Sequence, residues 1–384
     1  MSNPKSKKEI LIIFLNDHLA YSPSTLNLFY ALKEKYKVQL ICPYQPKHFS
    51  ENEIKDPDIK YTDFKIKRNI FNSAIALLHK IINKFIQSSE NRLLKKRLTN
   101  HQAKFLINYI KKTNKEIIAI DTMALWCAQQ AGKKAHLLSL EISENDEYLK
   151  NIKLSSIKSV IIQSHERLNY LFPQEKPRYF IIQNSPKYLP FEPDYTHRKK
   201  TDLVYCGSAV LCFGIITCLD FIKDYKEYTL TIKGAYPKET KDIIEKFYSD
   251  LLTEKRLIID TAYLSEENLT KFVSKFRIGF AFYDFYRFPH LKTFNYYTAP
   301  SGKVYQYLNS GTPIIGNSLP GFQFINDTKS GVLVNYLSTH QIKMAIDAIE
   351  DDYLTYAENA KRISSENDFD KMIIPFLEYI TELN

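Results

Sequence analysis

The stretch Ala299–Gly321, APSGKVYQYLNSGTPIIGNSLPG, carries five structural signals in succession. Pro300 and Ser301 open a helix, and Ser301 is an N-cap residue type whose oxygen can accept from the amides behind it. Val304, Tyr305, Tyr307 and Leu308 give that helix an apolar side. Gly311 stands where a helix C-cap glycine belongs, and Pro313 forbids continuation. Pro313–Gly316 is then a short apolar run of the kind found in strands covered on both faces, and Gly321 marks a further turn. Such a joint presents free helix amides at the carboxyl end of a parallel sheet, where α/β proteins bind phosphate groups.

The same alternation runs outward in both directions. Strands are expected at Glu9–Leu15, Val38–Cys42, Thr62–Lys67, Glu116–Ile120, Ala135–Leu140, Val160–Gln163 and Tyr179–Gln183, with helices at Leu26–Lys35, Ala124–Ala131 and Ser164–Leu171. Between the third and fourth of these strands, Asn69–Lys112 repeats apolar residues at helical spacing. Lys187–Lys200, with two prolines and mixed charge, reads as a linker. The pattern then restarts with strands at Asp202–Cys206, Tyr228–Lys233, Leu257–Asp260 and Ile278–Tyr283, and helices around Ile215–Asp224, Glu239–Leu252 and Ser265–Phe276. The fold class is therefore α/β, with two successive Rossmann-like, doubly wound units. The 384 residues suit two domains.

Composition narrows the function. Five cysteines (Cys42, Cys127, Cys206, Cys212, Cys218) are odd in number and lack C-x-x-C spacing, which favours buried, reduced thiols over a disulfide or a metal site. No apolar run reaches the ~18 residues of a membrane span, and the run Ile10–Leu15 is too short for a signal peptide. A cytoplasmic location is expected. The net charge of +10 is concentrated: Lys60–Lys115 holds 14 basic and 2 acidic residues. A local anionic partner is expected there, not a nucleic acid, and a membrane surface is favoured. The protein would then lie peripherally on the inner face of the cytoplasmic membrane.

Ser301, Lys303, Tyr307, Leu308, Gly311, Pro313 and Ile315 resemble the nucleotide-binding segment of GT-B glycosyltransferases, in the large retaining group (group 1) whose pattern is roughly S-P-x-K-x-x-E-Y-L-A-x-G-x-P-V-I. The resemblance implies two Rossmann-like domains facing across a cleft: residues 1–190 binding acceptor, with a basic helical insertion at 69–112; residues 191–370 binding a nucleotide-sugar; and a C-terminal helix at 371–384 returning to the first domain. It implies sugar transfer from a nucleotide-sugar donor to a glycan or lipid-linked acceptor in bacterial surface polysaccharide (lipopolysaccharide or capsule), with no cofactor and no metal.

Lys303 matches the family's phosphate-proximal lysine, in the first helical turn beside Ser301 and Gly302. Gln306 falls where the family has glutamate, and Thr298 where it often has a second acid. Gly207 and Ser208 resemble its glycine turn, although Ser208 and Phe213 stand where the family places phosphate-binding cations. Lys233, or Arg287, His290 and Lys292 in the aromatic loop Tyr283–Thr298, could supply those charges. Asn317 resembles a donor-side loop residue. Glu141, ending a strand, is the candidate for contacting the sugar or acting as base, with Asp17 and His18 a second cleft candidate. A CMP-sugar donor, with one phosphate, would need fewer cations. A sugar-nucleotide epimerase of the same fold and a non-catalytic glycan-binding homologue are the alternatives.

Overall fold

A computed structural model of the protein describes residues 8–16, 19–44, 54–62, 102–299 and 301–383. Of the basic helical insertion, only the helix over residues 102–111 falls within them. Asp17 and His18 lie outside the described residues, as does most of Lys60–Lys115.

The chain divides into two compact units. One comprises Met1–Glu141, Asn145–Ile162 and Leu171–Phe180; the other comprises Ile142–Glu144, Gln163–Tyr170 and Ile181–Asn384. The last change of unit along the chain falls at 180/181, and the C-terminal helices group with the second unit.

The first unit is built on a seven-stranded sheet: β1 (Glu9–Ile13), β2 (Lys37–Pro43), β3 (Ile59–Thr62), β4 (Glu116–Ile120), β5 (Ala135–Leu138), β6 (Ile157–Ile162) and β7 (Tyr179–Ile181), ordered β3-β2-β1-β4-β5-β6-β7. The registered pairings from β3–β2 through β5–β6 are parallel. Ile10–Ile13 are fully buried, as a strand covered on both faces requires. The third strand begins three residues earlier than its sequence pattern suggests.

The second unit carries β8 (Asp202–Cys206), β9 (Thr229–Lys233), β10 (Leu257–Asp260), β11 (Ile278–Ala281), β12 (Ile314–Asn317) and β13 (Gly331–Val334), ordered β10-β9-β8-β11-β12-β13 and parallel throughout. The helix expected over Glu239–Leu252 is two, Lys238–Phe247 and Ser249–Thr253, divided at Tyr248, whose hydroxyl donates to Asp220 Oδ1 at 2.6 Å.

The opening stretch folds as its residues dictate. A helix spans Gly302–Asn309 and buries Val304, Tyr305, Tyr307 and Leu308. It ends in a Schellman arrangement: Gly311 N–H donates to Leu308 O (2.9 Å) and Thr312 N–H to Tyr307 O (2.9 Å). Gly311 sits at φ 59°, and a β-carbon there would lie 2.8 Å from the Tyr195 hydroxyl.

The linker read at Lys187–Lys200 has no helix or strand, as its prolines dictate, yet it is fastened to this helix. Arg198, buried, donates to Gly311 O (2.7 Å), Ser310 O (2.9 Å) and the Tyr353 hydroxyl (3.0 Å). Lys361, also buried, donates to Leu189 O (2.6 Å) and Asn309 O (3.0 Å). Two cations thus meet the carbonyl end of the helix, where its dipole is negative. The other end is left to carry Lys303.

Candidate functional site

Strands β8 and β11 are neighbours whose chains leave toward opposite edges of the sheet, which makes the gap between their carboxyl ends the topological switch point. They pair only at Ile278↔Leu203 and Gly279↔Val204. Beyond that, Tyr307 fills the opening: its hydroxyl accepts from Cys206 N–H (2.8 Å) and donates to Phe280 O (3.0 Å). A β-carbon on Gly279 would lie 2.6 Å from the Tyr307 ring, so the glycine makes room for it. One tyrosine of the Gly302–Asn309 helix therefore seats that helix against the switch point.

Lys303, four residues earlier, reaches the turn that follows β8. Its Nζ donates to the Tyr205 hydroxyl at 2.9 Å and lies 4.1 Å from the centre of that ring and 5.3 Å from that of Phe213. The Gly207 side of the turn is adjacent, since a β-carbon there would be 3.9 Å from Lys303 Cε. Burial pushes the Lys303 ammonium down to about 8. Among the described residues, no carboxylate lies within ion-pair distance of it. Gly207 is exposed and Ser208 half-buried, so the turn faces solvent beside the lysine. Ser301 occupies the N-cap position but makes no side-chain cap bond, contrary to expectation. The first amides of the helix, including those of Gly302 and Lys303, precede any intrahelical acceptor.

The turns after β8 and β9 interlock. Gly207 N–H donates to Lys233 O (2.9 Å), and Gly234, at φ 141°, passes so close that a β-carbon would lie 2.3 Å from Gly207 O. Gly214, at φ 72°, starts the Ile215–Asp224 helix against Phe282. Glycines thus let the turns after β8 and β9 pack together beside Lys303 and let the Ile215–Asp224 helix start against Phe282.

Lys233 and Arg287 are committed elsewhere. Lys233 is buried, pairs with Asp260 (2.8 Å) and donates to Ala262 O (2.7 Å). Its hydrogen bond holds the Asp260 carboxyl below the usual carboxylate range. Arg287 pairs with buried Asp284 (2.7 Å), donates to Thr217 Oγ1 (3.2 Å) and approaches Asp220 (3.7 Å). His290 and Lys292 are exposed, the former beside Phe288 and the latter over the Tyr297 ring at 5.6 Å.

Gln306 is nearly buried, and its Nε2 donates to Thr270 Oγ1 at 2.8 Å, tying its helix to Glu266–Val273. Thr298 is buried too; its hydroxyl donates to Phe294 O (2.8 Å) and accepts from Arg167 (3.3 Å). Asn317 Oδ1 accepts from Tyr283 N–H (2.6 Å), fixing the ends of β11 and β12 together. Glutamine, threonine and asparagine here hold elements in place with neutral hydrogen bonds.

Sequence reasoning missed Arg167. Wholly buried, it donates to Asn295 Oδ1 (3.0 Å) as well as Thr298, and Asn295 Oδ1 also accepts from Ile142 N–H (3.0 Å). A single arginine in a polar helix start, His165-Glu166-Arg167, gives no signal of burial. Tyr205 was equally hidden, reading as one more strand residue.

In the first unit, Glu141 is exposed and follows β5. Its N–H and that of Leu140 donate to Asp121 Oδ1 (3.0 and 2.7 Å). Asp121 adopts φ 60° at the end of β4, a left-handed conformation unusual outside glycine. Among the described residues, no group of three or more His, Cys, Asp or Glu side chains is arranged to hold a metal ion, and no helix is long and apolar enough to cross a membrane.

No family model and no curated protein matches the chain. Solved structures do match over nearly its whole length. The pneumococcal O-GlcNAc transferase GtfA, in complex with UDP and GlcNAc, superposes with a TM-score of 0.65 at 12% identity, covering 98% of this chain and 99% of its own. Anabaena HepE, in complex with UDP-glucose, gives 0.64 at 10% identity, covering 97% and 99%. A Listeria monocytogenes protein assigned as a UDP-N-acetylglucosamine 2-epimerase gives 0.60 at 11%, covering 99% and 98%. At these identities the likeness is one of architecture, and the chain has the GT-B fold: two Rossmann-like units, each on a parallel sheet.

Proposed function

We propose that this protein is a glycosyltransferase that takes its sugar from a nucleotide-sugar held on the second unit and passes it to a glycan or lipid-linked acceptor. The observation that carries this reading is Lys303: an ammonium without a carboxylate partner among the described residues, at the start of a helix, against a glycine turn at the switch point of a parallel sheet. Departure of a nucleotide leaves negative charge on phosphate, and a preorganised ammonium with helix amides stabilises charge as it develops. No metal ion is invoked. Two of the structural neighbours are described with UDP or UDP-glucose bound, which supports a UDP-sugar as the first donor to test.

In this reading Glu141 meets the reacting sugar or takes the acceptor proton, and Glu141→Gln lowers turnover more than donor affinity. Wild-type turnover in that variant would remove it from the mechanism. The acceptor belongs to bacterial surface polysaccharide, and the Lys60–Lys115 segment brings the protein to the anionic inner face of the membrane. Replacing Lys95, Lys96 and Arg97 by Glu then reduces sedimentation with anionic vesicles; unchanged sedimentation refutes the membrane contact.

A donor with a single phosphate, such as a CMP-linked acidic sugar, is a second reading. It is favoured by the pairing of Lys233 with Asp260 and of Arg287 with Asp284, which leaves fewer charges for a diphosphate. The Listeria neighbour makes epimerisation a third. Product analysis separates the activities. Transfer requires donor and acceptor together, whereas an altered donor formed without acceptor would overturn the transferase reading in favour of an epimerase.

A further inference from the structure

Among the described residues, the groups packed against the Lys303 ammonium are neutral. The Tyr205 hydroxyl accepts a hydrogen bond from it at 2.9 Å, and the rings of Tyr205 and Phe213 lie 4.1 and 5.3 Å away. The same hydroxyl is within reach of the carbonyls of Ser208 (3.2 Å) and Phe213 (3.3 Å), so it is pinned to both ends of the turn it faces. The Phe213 ring is held in turn, edge-on to Tyr283 at 5.5 Å and to Tyr296 at 6.3 Å. The remaining titratable groups that act on Lys303 are the thiols of Cys206, Cys212 and Cys218. Burial pushes the Cys206 thiol up to about 12, so it stays protonated and neutral. Lys233, at the end of the neighbouring strand β9, shows the alternative: its charge is matched by Asp260.

Resting on the phosphate-site reading above, we propose that Tyr205 and Phe213 are positioning residues for Lys303, holding its ammonium at the Gly207–Ser208 turn in the charged form and without a counter-charge. An incoming phosphate oxygen then displaces a hydroxyl and two ring faces instead of a carboxylate. A hydroxyl is surrendered at far less cost than an ion-pair partner. The rings favour the charged amine by their quadrupole and the hydroxyl by accepting from it, and both oppose the effect of burial.

The test needs no ligand. Trace acetylation of the intact protein across pH 6–10, read at Lys303 by mass spectrometry, follows the appearance of the neutral amine. In Tyr205→Phe and in Phe213→Leu, the half-point for Lys303 is expected to fall by about half a pH unit or more, a threefold shift in protonation, while exposed lysines such as Lys241 keep theirs. Phe213 is only half-buried, so its variant carries the test should Tyr205→Phe fold poorly. Wild-type half-points in folded variants would overturn the proposal. UDP binding is measured beside it: a wild-type protein that binds no nucleotide sinks the phosphate-site reading by itself, whereas unshifted labelling sinks the positioning role by itself.

Discussion

Lys303 Nζ and the Tyr205 hydroxyl are 2.9 Å apart, and this contact joins the start of the Gly302–Asn309 helix to the end of β8. The lysine is the cation of the opening stretch, and the tyrosine is the last large side chain before the glycine turn. Their meeting makes one site of two segments nearly a hundred positions apart.

The first consequence is a pH dependence. Burial holds Lys303 at about 8, below the ordinary 10.5. A neutral amine no longer attracts phosphate, so nucleotide affinity should be level below pH 7 and weaken by about tenfold between pH 7 and 9. Lys303→Arg, charged throughout this range, should flatten the profile. Calorimetric titration at several pH values checks it, and a level wild-type profile would assign the anion to another group.

Two glycines should respond differently to the same change. Gly132, at φ 74°, has nothing within 4 Å of a β-carbon, so Gly132→Ala should cost only backbone strain, about 1–2 kcal/mol. Gly234→Ala drives a β-carbon to 2.3 Å from Gly207 O and should cost about 3 kcal/mol or more while displacing the turn at Lys303. Denaturant unfolding gives both values, and equal costs would contradict the close approach.

Arg198 anchors the far end of the same helix through the carbonyls of Gly311 and Ser310 and the Tyr353 hydroxyl. Arg198→Leu strands buried acceptors and should destabilise the second unit by about 2–4 kcal/mol. A loss under about 0.5 kcal/mol would show the linker to be unattached in solution.

In the first unit, buried His136 lies between Ser159 Oγ (2.7 Å) and Glu116 Oε1 (3.1 Å), with Lys158 on the same carboxylate (2.5 Å). Burial lowers His136 below its ordinary 6.5, outweighing Glu116. The unfolded chain therefore binds the extra proton, and stability falls as pH drops through 6.5. Burial raises Glu116, but the hydrogen bonds from His136 and Lys158 win and hold it at about 2. Its contribution is present above its ordinary 4.5 and is lost from there down to about 2. Urea midpoints should decline in two stages on acidification, and His136→Gln should remove the upper one. An unchanged upper stage would point to another histidine.

Much of this was legible in the sequence because it rests on short-range rules. Gly311, Pro313 and the apolar run behind them dictated a helix stop and a covered strand, and the structure has both. Lys303 and Gly207 are legible as candidates because a helix start and a glycine turn after a strand are local features and both resemble the GT-B donor segment; the structure places the two side by side. What stayed hidden depends on tertiary pairing. Lys233 reads as a cation at a strand end until Asp260, on the neighbouring strand, takes its charge. Phe213 reads as a missing cation until its ring is found facing Lys303. Lys187–Lys200 reads as a linker because nothing local reveals that Arg198 reaches the Gly311 carbonyl.

The central claim is that the second unit binds a nucleotide-sugar through Lys303. Calorimetric titration at pH 7 with UDP-, GDP-, CMP- and dTDP-sugars, on the wild type and on Lys303→Ala, tests it most directly. At least one donor should bind the wild type, and the variant should bind it about 10–100-fold more weakly with its thermal unfolding preserved. Equal affinity in the two proteins, or no binding of any of the four to the wild type, would contradict it.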